Sequence, residues 1–141
     1  MTDDENGIAV ELSGKELGEH PGTKELRKAA RAYAEKYLIG KSFVNENSGH
    51  EIRVTRRGIK HALADANRPE IKLLPGLPEI LMKAGHNEKA APKPGKEYLT
   101  AVHKYSTTAK VDGVIFNVGV VTYERKNGHE HYDHFIFSDR K

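Results

Sequence analysis

Apolar residues along the chain switch period at two places, and those switches set out the elements. In "KELRKAARAYAEKYLIG", Leu26, Ala30, Tyr33, Ala34, Tyr37 and Leu38 recur at three- and four-residue spacing. That is one face of an amphipathic helix, with Thr23 as its expected cap and Gly40 as its stop. The pattern then breaks into two short strand-like runs around the turn signal "NENSG", which predicts a hairpin over "KSFVNENSGHEIRVT". "RRGIKHALADAN" predicts a short helix ending before "RPE". "LPGLPEILMKAG" predicts another, with Pro78 in its first turn. "HNEKAAPKPGKE" reads as a polar loop.

From Leu99 onward the period becomes two. "YLTAVHKYSTTAKV", "VIFNVGVVTYERK" and "HEHYDHFIFSD" are separated by Asp-Gly and Asn-Gly, strong short-range signals of tight hairpins. The expected fold is α+β, with a three-stranded C-terminal meander behind helices. Residues 1–20 read as an acidic lead-in or linker remnant, with "IAVEL" as a possible edge strand. Residues 21–141 read as a single domain.

Charge changes this picture. Residues 1–20 hold six acids against one base, and residues 21–141 hold 22 bases against 14 acids, a balance of +8. A basic body points to a polyanionic partner such as RNA, DNA or an acidic protein. The acidic lead-in could shield that face in cis. The chain has no cysteine, so thiolate catalysis, cysteine–zinc sites and disulfides are excluded. This suits a reducing compartment, or a protein that unfolds and refolds in transit. No apolar run reaches the roughly 18 residues of a membrane span, and the N-terminus is acidic, unlike a signal peptide.

The closing strand offers candidate chemistry. "HEHYDH" spells H-x-H-x-D-H, a spacing known from dinuclear metal hydrolases, and His129, Glu130, His131, Asp133 and His134 are all metal-ligand types. Strand alternation argues against it, because His129, His131 and Asp133 fall on one face and His134 on the other. Further ligands downstream are also missing, since the residues after His134 include no histidine. No metal or other cofactor is expected. If Phe135 and Phe137 face the helices, Tyr132 and His134 lie on the open face, beside Asn117, Gly119, Val121 and Tyr123 of the neighbouring strand. A glycine inside a strand often marks close approach by a ligand. The second candidate is "IRVTRRGIKHAL", with Arg53, Arg56, Arg57, Lys60 and His61 in nine residues where a strand gives way to a helix. Guanidinium groups and helix N–H groups there favour a phosphate.

The stretches "VELSGKEL", "LRKAARAYAEKYLIGKSFVNENSGHEIRVTRRGIKHAL", "LPGLPEILMKA" and the closing "HYDHFIF" resemble the nuclease-like domains associated with large polyvalent proteins. Such domains occur in phage polyproteins and in polymorphic and contact-dependent inhibition toxins, and are similar to the barnase/EndoU/colicin/RelE superfamily. The resemblance covers residues 8–141. It implies N-terminal helices packed on a twisted antiparallel sheet of four to five strands whose concave face cleaves RNA, often tRNA. It implies metal-free transesterification through the ribose 2′-OH, a monomer without a membrane anchor, and a cognate immunity protein covering the site. It also implies action in the bacterial cytoplasm, after delivery within a larger secreted polypeptide.

On that reading His61 is one acid/base and His103 or His134 the other. Arg56, Arg57, Lys60 and Lys104 bind RNA or its phosphates, and Tyr132 positions a phosphate or stacks on a base. Tyr105 is a second-tier candidate, and His20, His50 and His86 are structural. His103 shares a strand face with Leu99, Ala101 and Tyr105; if that face is buried, His134 is the better partner of His61. The alternative is a noncatalytic module of the same fold that binds RNA or protein.

Overall fold

In the computed structural model, strand β1 (Ile8–Leu12) is followed by helix α1 (Thr23–Tyr37) and the short strands β2 (Ser42–Val44) and β3 (Glu51–Arg53). Helices α2 (Arg56–Ala64), α3 (Arg68–Leu73) and α4 (Leu77–Lys83) come next, then strands β4 (Gly85–Ala90), β5 (Leu99–Val111), β6 (Val114–Arg125) and β7 (Glu130–Asp139). The described residues are 8–64, 66–91, 94–95, 99–126 and 129–139; at 134 and 136–139 only the backbone is described.

The α+β class stands, and three finer expectations are corrected. Among the described residues the sheet has seven strands, not four to five, in the order β1-β5-β6-β7-β3-β2, with β4 also pairing β5. It is mixed rather than antiparallel, because β1 runs parallel to β5 and β3 parallel to β7. The helices do not form an N-terminal layer, since they alternate with β1, β2 and β3 before the long strands begin.

The larger sheet has a simple cause. Strand β5 is 13 residues long, and its outer edge is shared. β1 pairs with Thr108–Val111 and β4 with Val102–Ser106. β1 is an edge strand of the sheet, as "IAVEL" suggested, and it buries Ala9 and Leu12 in the core. β4 takes the first part of the expected polar loop. It carries no apolar alternation because it is an outer strand, and such strands favour charged residues.

The meander follows the sequence signals. Asp112 and Gly113 both take positive φ (52° and 78°), as a two-residue hairpin turn requires. The Asn127–Gly128 turn lies outside the described residues. α1 buries Leu26, Ala30 and Ala34 against the core as its periodicity predicts. Its cap differs: Gly22, not Thr23, precedes the helix, and no side chain caps it. α3 was not anticipated. Asn67 and Glu70 form a reciprocal capping box there, and Pro69 sits in the first turn, where its missing N–H costs nothing.

One irregularity governs the chemistry. Val121 pairs with His134 but Thr122 pairs with Tyr132, so Asp133 is an extra residue on β7, a β-bulge. Beyond it, Phe135 pairs with Val120 and packs against the core, as expected. Before it, the alternation is inverted. Tyr132 and Glu130 face inward with Thr122, and Tyr132 is 1% exposed. The expected open-face position of Tyr132 is therefore corrected to the core.

Candidate active site

The candidate site is a cleft of about 500 Å³ between α2 and the ends of β6 and β7, lined by Arg57, His61, Arg125, His131 and Asp133 among others. Its walls follow from local sequence. β3 ends at Arg53, and the buried Val54 anchors the strand end. Thr55 then accepts a hydrogen bond from the Gly58 N–H at 3.1 Å, which starts α2. Ile59 and Leu63 turn into the core. Arg27 holds the far end of the helix by donating to the carbonyls of Leu63 and Ala66, both at 2.8 Å.

Residues four apart share a helix face, so Arg57 and His61 both face the cleft. Arg56 and Lys60 form the neighbouring row. Arg56 pairs with Glu35 of α1, and Lys60 is exposed. Neither lines the cleft.

Gly58 lets the helix approach β7 closely. A side chain there would collide with the Tyr132 carbonyl. That approach brings His61 Nδ1 to 2.9 Å from Asp133 Oδ2. Asp133 is 12% exposed and His61 56%. The contact fixes the imidazole and orients Nε2 away from the carboxylate. The bulge makes this possible by releasing Asp133 from strand pairing and turning it toward the helix. Across the cleft, His131 pairs in register with Tyr123. Burial, then the charges of Arg125, Arg53 and His129, hold the His131 imidazole below its ordinary range. The site thus combines a carboxylate-oriented histidine, a second histidine and two arginines.

The other expected residues are dispersed. His103 is fully buried on the core face with Ala101 and Tyr105, away from His61. It bonds Glu124 Oε1 through Nε2 (2.8 Å) and His86 Nε2 through Nδ1 (2.9 Å). Lys104 is exposed on the opposite side of β5. Tyr132 reaches the cleft wall, but its ring is in the core and its hydroxyl has no hydrogen-bond partner among the described residues. The His134 side chain lies outside the described ones. Of the histidines read as structural, His20 does stay in a local turn, 2.9 Å from the Leu17 carbonyl. His50 and His86 instead join His103 in a polar cluster. His131, Asp133 and Arg125 were not singled out for RNA chemistry. The signal for them was "HEHYDH" itself, which reads differently once a bulge is admitted.

Among the described residues, no helix is long and apolar enough to cross a membrane. Neither the curated proteins nor the solved structures yielded a match. The sequence model of large polyvalent protein-associated domain 3 matches residues 21–132, from the start of α1 to the Tyr132 step before the bulge. The protein accordingly belongs to the large polyvalent protein-associated domain 3 family.

Proposed function

We propose that the chain is an endoribonuclease of toxin type that cuts RNA in the α2–β7 cleft with protein groups alone. The observation that carries this reading is the 2.9 Å His61–Asp133 pair, set in one cleft with His131, Arg57 and Arg125. Transesterification needs a base to take the ribose 2′-OH proton, an acid to protonate the departing 5′-oxygen, and cations to stabilise the phosphorane. His131 and His61 fill the two proton-transfer roles, and Arg57 and Arg125 the third. The 2′-oxygen bonds to phosphorus as the P–O5′ bond breaks, giving a 2′,3′-cyclic phosphate and a 5′-hydroxyl. A DNA strand lacks the nucleophile and is not cut.

His131 replaces His103 and His134 as partner of His61 in this scheme. The proposed substrate class is tRNA, in the bacterial cytoplasm, with delivery as part of a larger polypeptide and a cognate immunity protein that covers the cleft. These points rest on the resemblance to toxin domains.

The test is incubation of the purified chain with total bacterial RNA in excess EDTA, beside His61→Ala and His131→Gln. Discrete cleavage in the wild type that falls by about 10²-fold or more in each variant is the expected result. Intact RNA that still binds the folded wild type would instead mark a noncatalytic RNA-binding module. Cleavage that survives both substitutions would remove the chemistry from this cleft.

A further inference from the structure

A second cluster lies behind the cleft, on the inward face of the same β6–β7 ribbon. His50 comes from the turn before β3, His86 from β4, His103 from β5, Glu124 from β6 and Glu130 from β7. The three imidazole centres stand 5.1 Å (His50–His103), 5.1 Å (His86–His103) and 5.7 Å (His50–His86) apart. Three imidazoles bound to one tetrahedral metal, with metal–nitrogen bonds of about 2.1 Å, have centres roughly 5 Å apart. The donor atoms also converge. His103 Nδ1 and His86 Nε2 face each other at 2.9 Å, and His50 Nδ1 faces Glu130 Oε1 at 2.8 Å. Ligand atoms of His50, His103 and Glu130 all lie within 4.8 Å of one another, and His86, outside that set, is placed beside it by its 2.9 Å approach to His103.

The surroundings prepare these donors. His103 Nε2 donates to Glu124, which leaves a lone pair on Nδ1 of the neutral ring, the atom aimed at His86. A carboxylate behind a ligating histidine is a recurrent way of fixing tautomer and basicity. Glu130 is 4% exposed, and its Oε2 accepts from Tyr105 (2.7 Å) and from Thr122. Those two bonds leave Oε1 for the centre of the cluster. Neutral histidines with two carboxylates balance one dication. Imidazole donors favour zinc or its neighbours over magnesium or calcium.

We infer that His50, His86, His103 and Glu130 form a binding site for a divalent transition-metal ion of the zinc class, with Glu124, Tyr105 and Thr122 orienting the ligands. Four protein donors make it a closed, structural centre. It ties three separate segments to the start of β7, next to the residues that floor the cleft. It is therefore distinct from the cleavage step, which it supports by holding β7 in place.

The test uses the untagged chain, stripped with EDTA, dialysed and titrated with Co²⁺ and then Zn²⁺. The expected result is one Co²⁺ per chain with the intense visible bands of tetrahedral cobalt, displaced by Zn²⁺. Zn²⁺ should also raise the melting temperature by about 5–10 °C. His50→Gln and His86→Gln, both at partly exposed positions, should each abolish the tetrahedral bands, and Glu124→Gln should weaken Zn²⁺ binding about 10–100-fold. His131→Ala, whose imidazole faces the cleft, separates this site from adventitious capture by "HEHYDH" and should change neither the bands nor the Zn²⁺ affinity. The inference is overturned if no tetrahedral bands form, if they survive either His50→Gln or His86→Gln, or if they disappear with His131→Ala.

Discussion

Replacing Gly58 by alanine tests how the cleft is assembled. In an exposed helix this change ordinarily stabilises by roughly 0.5–1 kcal/mol, because glycine loses more backbone entropy on folding. Here a Cβ would stand 3.3 Å from both the Tyr132 carbonyl carbon and Thr55 Oγ1, and would overlap the Tyr132 carbonyl oxygen by about 1 Å against ordinary contact distance. The obstacle is strand backbone, so relief requires α2 to move off β7. Overpacking of this kind costs about 1–3 kcal/mol, which leaves a net loss near 1–2 kcal/mol after the helix gain. At about 4 °C per kcal/mol for a domain of this size, the melting temperature should fall by roughly 4–8 °C. The same displacement stretches the 2.9 Å His61–Asp133 contact beyond hydrogen-bond range. On the ribonuclease reading, a 1 Å misplacement lowers cleavage by about 10²-fold. Thermal unfolding by circular dichroism and an RNA-cleavage time course measure both effects. Gly85→Ala is the control, because the nearest atom to its added Cβ is the Ser106 carbonyl oxygen at 3.9 Å and little should change. A Gly58→Ala protein as stable as wild type, with unaltered cleavage, would refute the claim that this glycine sets the helix–strand distance.

Two further substitutions probe the polar groups around the site. Tyr132→Phe removes a buried hydroxyl without a hydrogen-bond partner among the described residues and keeps the ring, so stability should hold or rise by about 1 kcal/mol in urea titrations, with cleavage unchanged. A selective loss of cleavage would return Tyr132 to the substrate. Asn45 is fully buried, donates to the carbonyls of Leu81 and Ala84 (both 2.8 Å) and accepts from the N–H groups of Asn47 and Ser48. Asn45→Ala should cost about 2–4 kcal/mol, and Asn45→Asp more, since it sets a carboxylate against two carbonyls. If Asp proves the milder change, the two donated bonds are not what holds α4 to the β2–β3 turn.

Local chemistry made much of the fold legible. The three-to-four spacing of α1, the β2–β3 hairpin around "NENSG", the start of α2 and the Asp112–Gly113 turn all followed from short-range rules. The errors share a physical origin in long-range pairing. β4 has no apolar alternation because β5 supplies its register, so its "HNEKA" stretch looks like loop. The parallel pairings of β1 and β3 connect segments distant in sequence and leave no local trace. α3 was legible in principle, since Asn67 and Glu70 stand at capping-box spacing, but Pro69 was read as a break rather than as a first-turn residue. For the site, Arg57 and His61 were found because they share a strand-to-helix junction. Asp133 and His131 were assigned by strict strand alternation, and that rule fails at the bulge.

The bulge also explains why "HEHYDH" looks like one site. With unbroken alternation, Asp133 would share a face with Phe135 and the core. The inserted residue instead turns Asp133 to His61, brings His131 round to the cleft, and sends Glu130 inward to His50 and Tyr105. A single short ribbon therefore serves two faces, and Glu130 and His131 are joined by one peptide bond. A substitution at Glu130 must then disturb both faces, through lost inward bonds and through the backbone that carries His131. Its phenotype could not tell a cleavage residue from a metal ligand. His86 and Arg57 each belong to one face, on β4 and on α2, and substitutions there can separate the two.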